Sequence, residues 1–152
     1  MNNLEAMPDI SLDGFQVVGA EMFMYPSKTS APTCTIWDNC IGFCKQDVLL
    51  LNGCENILIQ VNAARKCLLV VPSTSKDKDS LKWSRTKQNK IEARKIMCPR
   101  FTEQLYKQWD WDTNYVYRTN GRLVTSGSKV MLLFDFSDAE HWLSPEAKKD
   151  AK

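Results

Sequence analysis

The sequence predicts an α+β fold, with mixed or antiparallel sheets and a few short helices. Three observations carry that expectation. Ile57, Ile59 and Val61 alternate at period 2, the mark of a strand with one buried face, and the apolar run of residues 67–71 returns after a polar turn. Phe101, Leu105 and Trp109 recur at i, i+4 and i+8, one stripe of a helix. Val130, Leu132, Phe134 and Phe136 then share one face of a strong late strand.

Taken in order, residues 1–14 read as a loose N-terminus, and residues 15–25 carry a strand-like apolar stretch. A Ser/Thr/Pro loop follows over residues 26–32. Residues 33–37 are rich in β-formers and read as a short strand, Asp38-Asn39 as a turn and 41–43 as a second strand. Residues 45–51 read as a short helix stopped by Asn52-Gly53, since both residues tolerate positive φ. The hairpin of residues 56–71 comes next. Its return strand is apolar on both sides, so both faces need cover. Residues 81–85 and 91–97 read as strands around a turn at 86–90, although a helix over 91–97 also fits. Pro99 can open the helix of residues 100–109, because the first helical N–H has no partner to lose. A strand at 115–118 follows, with turns at Asn120-Gly121 and Ser126-Gly127. Asp138 and Glu140 fit the acidic first turn of a short C-terminal helix capped by Ser137. Residues 144–152 read as a frayed tail.

The 152 residues suit one domain, taken as residues 15–143 and divisible into 15–75 and 80–143. The order of elements in the two halves is roughly similar, which would fit a pseudo-repeat of strand, helix and hairpin. Hydrophobic and charged fractions of 43% and 25% are those of a folded globular chain. No apolar run approaches the ~20 residues that cross a bilayer, and the N-terminus lacks a basic region followed by an apolar stretch. A cytoplasmic, non-membrane protein is therefore expected.

Six cysteines and one histidine set limits on chemistry. No CxxC pair occurs, and His141 lies far from Cys40 and Cys44, so the thiols read as structural and reduced and no metal site is assigned. A nucleophile–histidine site would have to use His141, which reads as a surface residue. No phosphate-cradling glycine loop is present. No catalytic residue and no cofactor is assigned; the only enzymatic alternative is a carboxylate site drawn from Asp110, Asp112 or Asp135.

Charge distribution is more informative than its total of +2. Residues 76–100 hold nine Lys/Arg against three Asp/Glu, while the remainder holds eleven against fifteen. Within the basic segment Lys82, Arg85, Lys87, Lys90, Arg94, Lys95 and Arg100 cluster around Trp83. Clustered cations suit phosphates, and an aromatic adds a stacking platform for single strands. The expected function is thus a non-enzymatic binding protein that contacts DNA or RNA through these residues. The alternative is a protein–protein interaction module whose basic segment is merely solvated. Oligomeric state is not legible.

Several short pieces occur in a recognisable order: Pro32-Thr33-Cys34-Thr35-Ile36, Ile41-Gly42-Phe43, residues 57–71 ending at Pro72, Leu81-Lys82-Trp83, Tyr117-Arg118 with Gly121, and Phe134-Asp135-Phe136 followed by Glu140. Together they span most of residues 15–140. In this order the chain resembles a group of uncharacterised Firmicutes proteins associated with phage-like and conjugative mobile elements, sometimes labelled integrase-like. The resemblance implies a bacterial cytosolic setting beside mobile-element genes and brings no established activity. It does not imply recombinase chemistry, because the Arg/His/Tyr array of such enzymes is missing from a chain with one histidine.

Overall fold

The computed structural model describes residues 8–20 and 31–146. The chain divides into two compact units, residues 1–30 and 31–152. In the first, residues 15–20 form no strand, and Phe15, Val17 and Val18 are exposed. Residues 21–25 of the same expected strand lie outside the described residues.

The second unit is built mainly of strands. These are β1 (Thr33–Ile36), β2 (Cys40–Phe43), β3 (Asn56–Asn62), β4 (Cys67–Ser73), β5 (Leu81–Lys82), β6 (Ser84–Lys87), β7 (Lys90–Ala93), β8 (Ile96–Met97), β9 (Tyr115–Ser126), β10 (Lys129–Asp135) and β11 (Glu140–Leu143). Only two helices are described, α1 (Lys45–Leu50) and α2 (Pro99–Gln108). The α+β expectation is therefore corrected: this is a β-rich fold around a nearly closed, barrel-like sheet.

Two segments whose local composition favours other structure supply the extra strand content. Asn120-Gly121, expected as a turn, lies inside β9, which runs unbroken to Ser126. Residues 140–143, expected within a helix, form β11 and pair with the first part of β9, Glu140 opposite Arg118 and Trp142 opposite Val116. The tertiary edge offered by β9 outweighed the weak helix-start signal of Ser137 and Asp138.

The large sheet runs β5-β3-β4-β10-β9-β1-β2-β8, with β11 also on β9, and its pairings are antiparallel. Strands from residues 33–73 and 81–143 interleave within it in pairs, β3-β4 and β1-β2 standing on either side of β10-β9. β9 joins its two parts. Residues 115–120 pair with β11 and β1, and residues 121–126 pair with β10. Gly121 stands at the change-over. A Cβ there would fall 2.5 Å from Phe134 Cε1, so the glycine is required by the close approach of a buried ring.

Inside the sheet, Ile36, Ile41, Ile57, Leu68, Val70, Leu132 and Phe134 are buried together with Leu105 and Tyr106 of α2 and Trp109 at its C-terminal cap. Fully burying such a side chain is worth about 1.5–3 kcal/mol, so these strand faces dominate stability. Polar anchors fix α2 in place. Thr102 Oγ1 donates to Asp38 O at 2.7 Å, and the Tyr106 hydroxyl lies 3.1 Å from Ile36 O and 2.8 Å from Tyr115 O. Phe101 of the expected stripe is only half-buried.

Candidate nucleic-acid interface

The basic segment folds mostly outside the large sheet. β6 and β7 form their own two-stranded hairpin. Its two-residue turn, Gln88-Asn89, has positive φ at both positions (51° and 64°), the geometry whose twist matches a tight hairpin. The register is Ser84 opposite Ala93, Arg85 opposite Glu92, Thr86 opposite Ile91 and Lys87 opposite Lys90.

Alternation then sorts the side chains. Arg85, Lys87, Lys90 and Glu92 share one face, and all four are exposed. Ser84, Thr86, Ile91 and Ala93 share the other. There Ser84 is buried, Ile91 and Ala93 are half-buried against the core, and β7 packs on α1. Arg85 Nε bonds Glu92 Oε2 at 2.8 Å, and this contact pulls the Glu92 carboxyl below its usual range. Lys87 and Lys90 face each other directly, an arrangement of like charges that costs stability.

The other cations are spread over neighbouring elements. Lys82 ends β5. Arg94 follows β7, and its backbone N–H donates to Trp83 O at 2.8 Å, extending the hairpin ladder. Lys95 Nζ stands 4.3 Å from the centroid of the Trp37 ring, a cation–π contact. Gly42 leaves room for that ring, since a Cβ there would meet Trp37 Cζ3 at 2.8 Å. Arg100 is exposed in the first turn of α2, where no acidic residue accompanies it. A cation at a helix N-terminus opposes the helix dipole by roughly 0.3–1 kcal/mol. Among the described residues no salt bridge holds Lys82, Lys87, Lys90, Arg94 or Arg100.

Trp83 is not part of this surface, which corrects its expected role as a stacking platform. Its exposure is 0%. The indole Nε1–H donates to Cys54 O at 2.7 Å, and the ring meets Phe43 edge-on at 5.1 Å. Ser84 Oγ donates to the same carbonyl at 3.0 Å. These two residues tie the base of the hairpin to the loop between α1 and β3. A tryptophan among cations reads as a platform in sequence; only the neighbouring Phe43 and Cys54, distant in sequence, give it a core position. The contact of Lys95 with Trp37 likewise joins residues distant in sequence, and nothing local signals it.

The three candidate carboxylates are all exposed. Asp110 follows α2 with φ at 54°, Asp112 Oδ1 accepts the Asn114 N–H at 2.9 Å, and Asp135 Oδ1 accepts the Ser137 N–H at 2.9 Å. The cavity beside Asp135 is lined by Asn120, Gly121, Arg122 and Leu133 and includes neither of the others. His141 lies exposed on β11, stacked near Tyr117 with ring centroids 5.7 Å apart. The six cysteines are free thiols, Cys34 and Cys40 buried and the rest half-buried. Among the described residues no group of three or more His, Cys, Asp or Glu is placed to hold a metal, and no helix is long and apolar enough to cross a membrane. No protein-family model, curated protein or solved structure matches the chain.

Proposed function

We propose that this chain is a non-enzymatic, cytoplasmic nucleic-acid-contacting factor that grips phosphates through the β6–β7 hairpin and its flanks. The observation that supports this most is the exposed hairpin face of Arg85, Lys87 and Lys90, with Lys87 set directly against Lys90. Two placements, that pair and Arg100 at the start of α2, oppose their local electrostatics. A bound polyanion relieves both costs. With Trp83 withdrawn into the core, the surface suits backbone phosphates and offers no base-stacking platform there. The resemblance to mobile-element-associated proteins suggests an accessory or regulatory role in such an element.

Fluorescence anisotropy with a labelled duplex and a labelled single strand, at stepped salt, tests the reading. Lys82, Lys87, Lys90, Arg94 and Arg100 supply about five phosphate contacts, so log K should fall with log[salt] at a slope near −4 to −5 on duplex. Lys87→Ala with Lys90→Ala should reduce that slope by about 2. Absence of binding at low salt, or a flat salt response, would refute it.

A further inference from the structure

Residues 85–90, which form the end of the β6–β7 hairpin, are all exposed, while the hairpin beneath them is anchored. Trp83 and Ser84 tie its base to Cys54 O, and Ile91 and Ala93 pack against the core. The turn itself uses unfavourable residues. Its two central positions have positive φ, 51° at Gln88 and 64° at Asn89. Glycine takes such angles freely and asparagine tolerates them, but a glutamine there is strained, and Asn-Gly is the pair that this turn favours. Neither amide side chain serves the turn. In other loops Asn62 Oδ1 and Asp112 Oδ1 accept backbone N–H groups at 3.2 Å and 2.9 Å. Among the described residues the side chains of Gln88 and Asn89 have no hydrogen-bond partner. Strain kept where a smaller residue would relieve it points to a use for the side chain.

Positive charge rises toward the same tip. At the base of the exposed face Arg85 and Glu92 offset each other in an ion pair at 2.8 Å. Beside the turn Lys87 and Lys90 stand opposite one another, and among the described residues neither is held in a salt bridge. Two unpartnered carboxamides are thus set between two unpaired cations at the end of a narrow ribbon. A two-stranded ribbon fits the ~12 Å major groove of B-form DNA and is too wide for the ~6 Å minor groove. A carboxamide carries one donor group and one acceptor. On the major-groove side adenine presents the complementary pair, N7 accepting and N6–H donating, whereas an A·T pair offers acceptors alone in the minor groove.

We propose that the hairpin enters the major groove of duplex DNA tip first, with Gln88 and Asn89 reading adenine edges while Lys87 and Lys90 hold the phosphates on either side. This rests on the nucleic-acid reading and narrows it to B-form DNA with adenine at the point of contact. Double-stranded RNA does not fit the tip, because side chains cannot read its deep, narrow major groove.

The test is fluorescence anisotropy of the full chain with three labelled DNA duplexes that differ only over a short central run of A·T, G·C or inosine·cytosine pairs. Inosine·cytosine has the minor groove of A·T and the major groove of G·C, so it separates the two grooves. The A·T duplex should bind roughly 5- to 150-fold tighter than both others, the range that one good bidentate base contact supplies. Gln88→Gly with Asn89→Gly supplies residues that accept positive φ, and amide exchange in β6 and β7 as slow as in the parent, or slower, checks that the hairpin stays folded. This variant should lose the A·T preference and keep the parent's salt slope. Equal affinity for the A·T and inosine·cytosine duplexes, or a preference that survives in the variant, would overturn the tip-first reading, while a slope near −4 to −5 would still support the phosphate grip. No binding to any of the three duplexes at low salt would overturn both.

Discussion

Asp47 is a buried carboxylate in the first turn of α1, and replacing it with asparagine gives a quantitative test of what its burial costs the fold. It sits at the third position of α1 with 0% exposure. One oxygen, Oδ2, accepts the Cys44 N–H at 2.9 Å, which caps the helix. The other, Oδ1, is buried without a hydrogen-bond partner. Burial pushes the carboxyl up to about 7 from 3.8, against the opposing pull of the Cys44 and Thr33 groups that favour its charge. Below pH ~4 the carboxyl is protonated in both folded and unfolded chains, and burial of the charge costs nothing. Between the two values the folded chain holds the proton and the unfolded chain has lost it, so stability falls as pH rises. About three pH units at about 1.4 kcal/mol each give a loss on the order of 4 kcal/mol, complete above pH ~7. Asp47→Asn keeps an oxygen for the Cys44 N–H and removes the titration. Urea unfolding of both proteins from pH 4 to pH 8 measures it. The two should be close in stability near pH 4, and the variant should be more stable by an amount approaching that loss at pH 8. Parallel profiles across this range would refute the reasoning, since other groups titrate equally in both proteins.

Three further outcomes follow from the packing. Gly121→Ala drives a methyl into the Phe134 ring and should cost roughly 1–3 kcal/mol by overpacking; a double-mutant cycle with Phe134→Leu should show favourable coupling in thermal or urea unfolding. Trp83→Phe loses the indole donation to Cys54 O and should destabilise by roughly 0.5–1.5 kcal/mol while leaving nucleic-acid affinity unchanged. The opposite pattern, unchanged stability and weaker binding, would restore Trp83 as a platform. Gln88→Asn with Asn89→Gly places favoured residues at both positive-φ turn positions, and amide exchange in β6 and β7 should slow.

Much of the strand plan was legible because short-range alternation decides it. Residues 56–62 and 67–73 pair as their apolar pattern indicates, and Pro99 opens α2. What was not legible depends on neighbours far along the chain. Asn120-Gly121 has the composition of a turn, yet the glycine serves a close approach to Phe134. Glu140-His141-Trp142-Leu143 has little strand signal until β9 offers an edge. For the interface, the cations stand exposed as their composition indicates, but the sorting of Arg85, Lys87 and Lys90 to one face needed the register of the hairpin. The burial of Trp83 needed Phe43 and Cys54.

The shared strand β9 also dictates when the molecule can form. Thr33 pairs with Asn120, so β1, although paired with β2 on one side, gains its other neighbour only once β9 has been made. Helices and the β3–β4 hairpin can fluctuate into place early, but neither part of the large sheet closes without β9. Pairings this remote along the chain place folding in the slow regime of β-barrels, milliseconds to seconds. They also leave one edge of β1, with its unpaired backbone N–H and C=O groups, open during synthesis until β9 emerges.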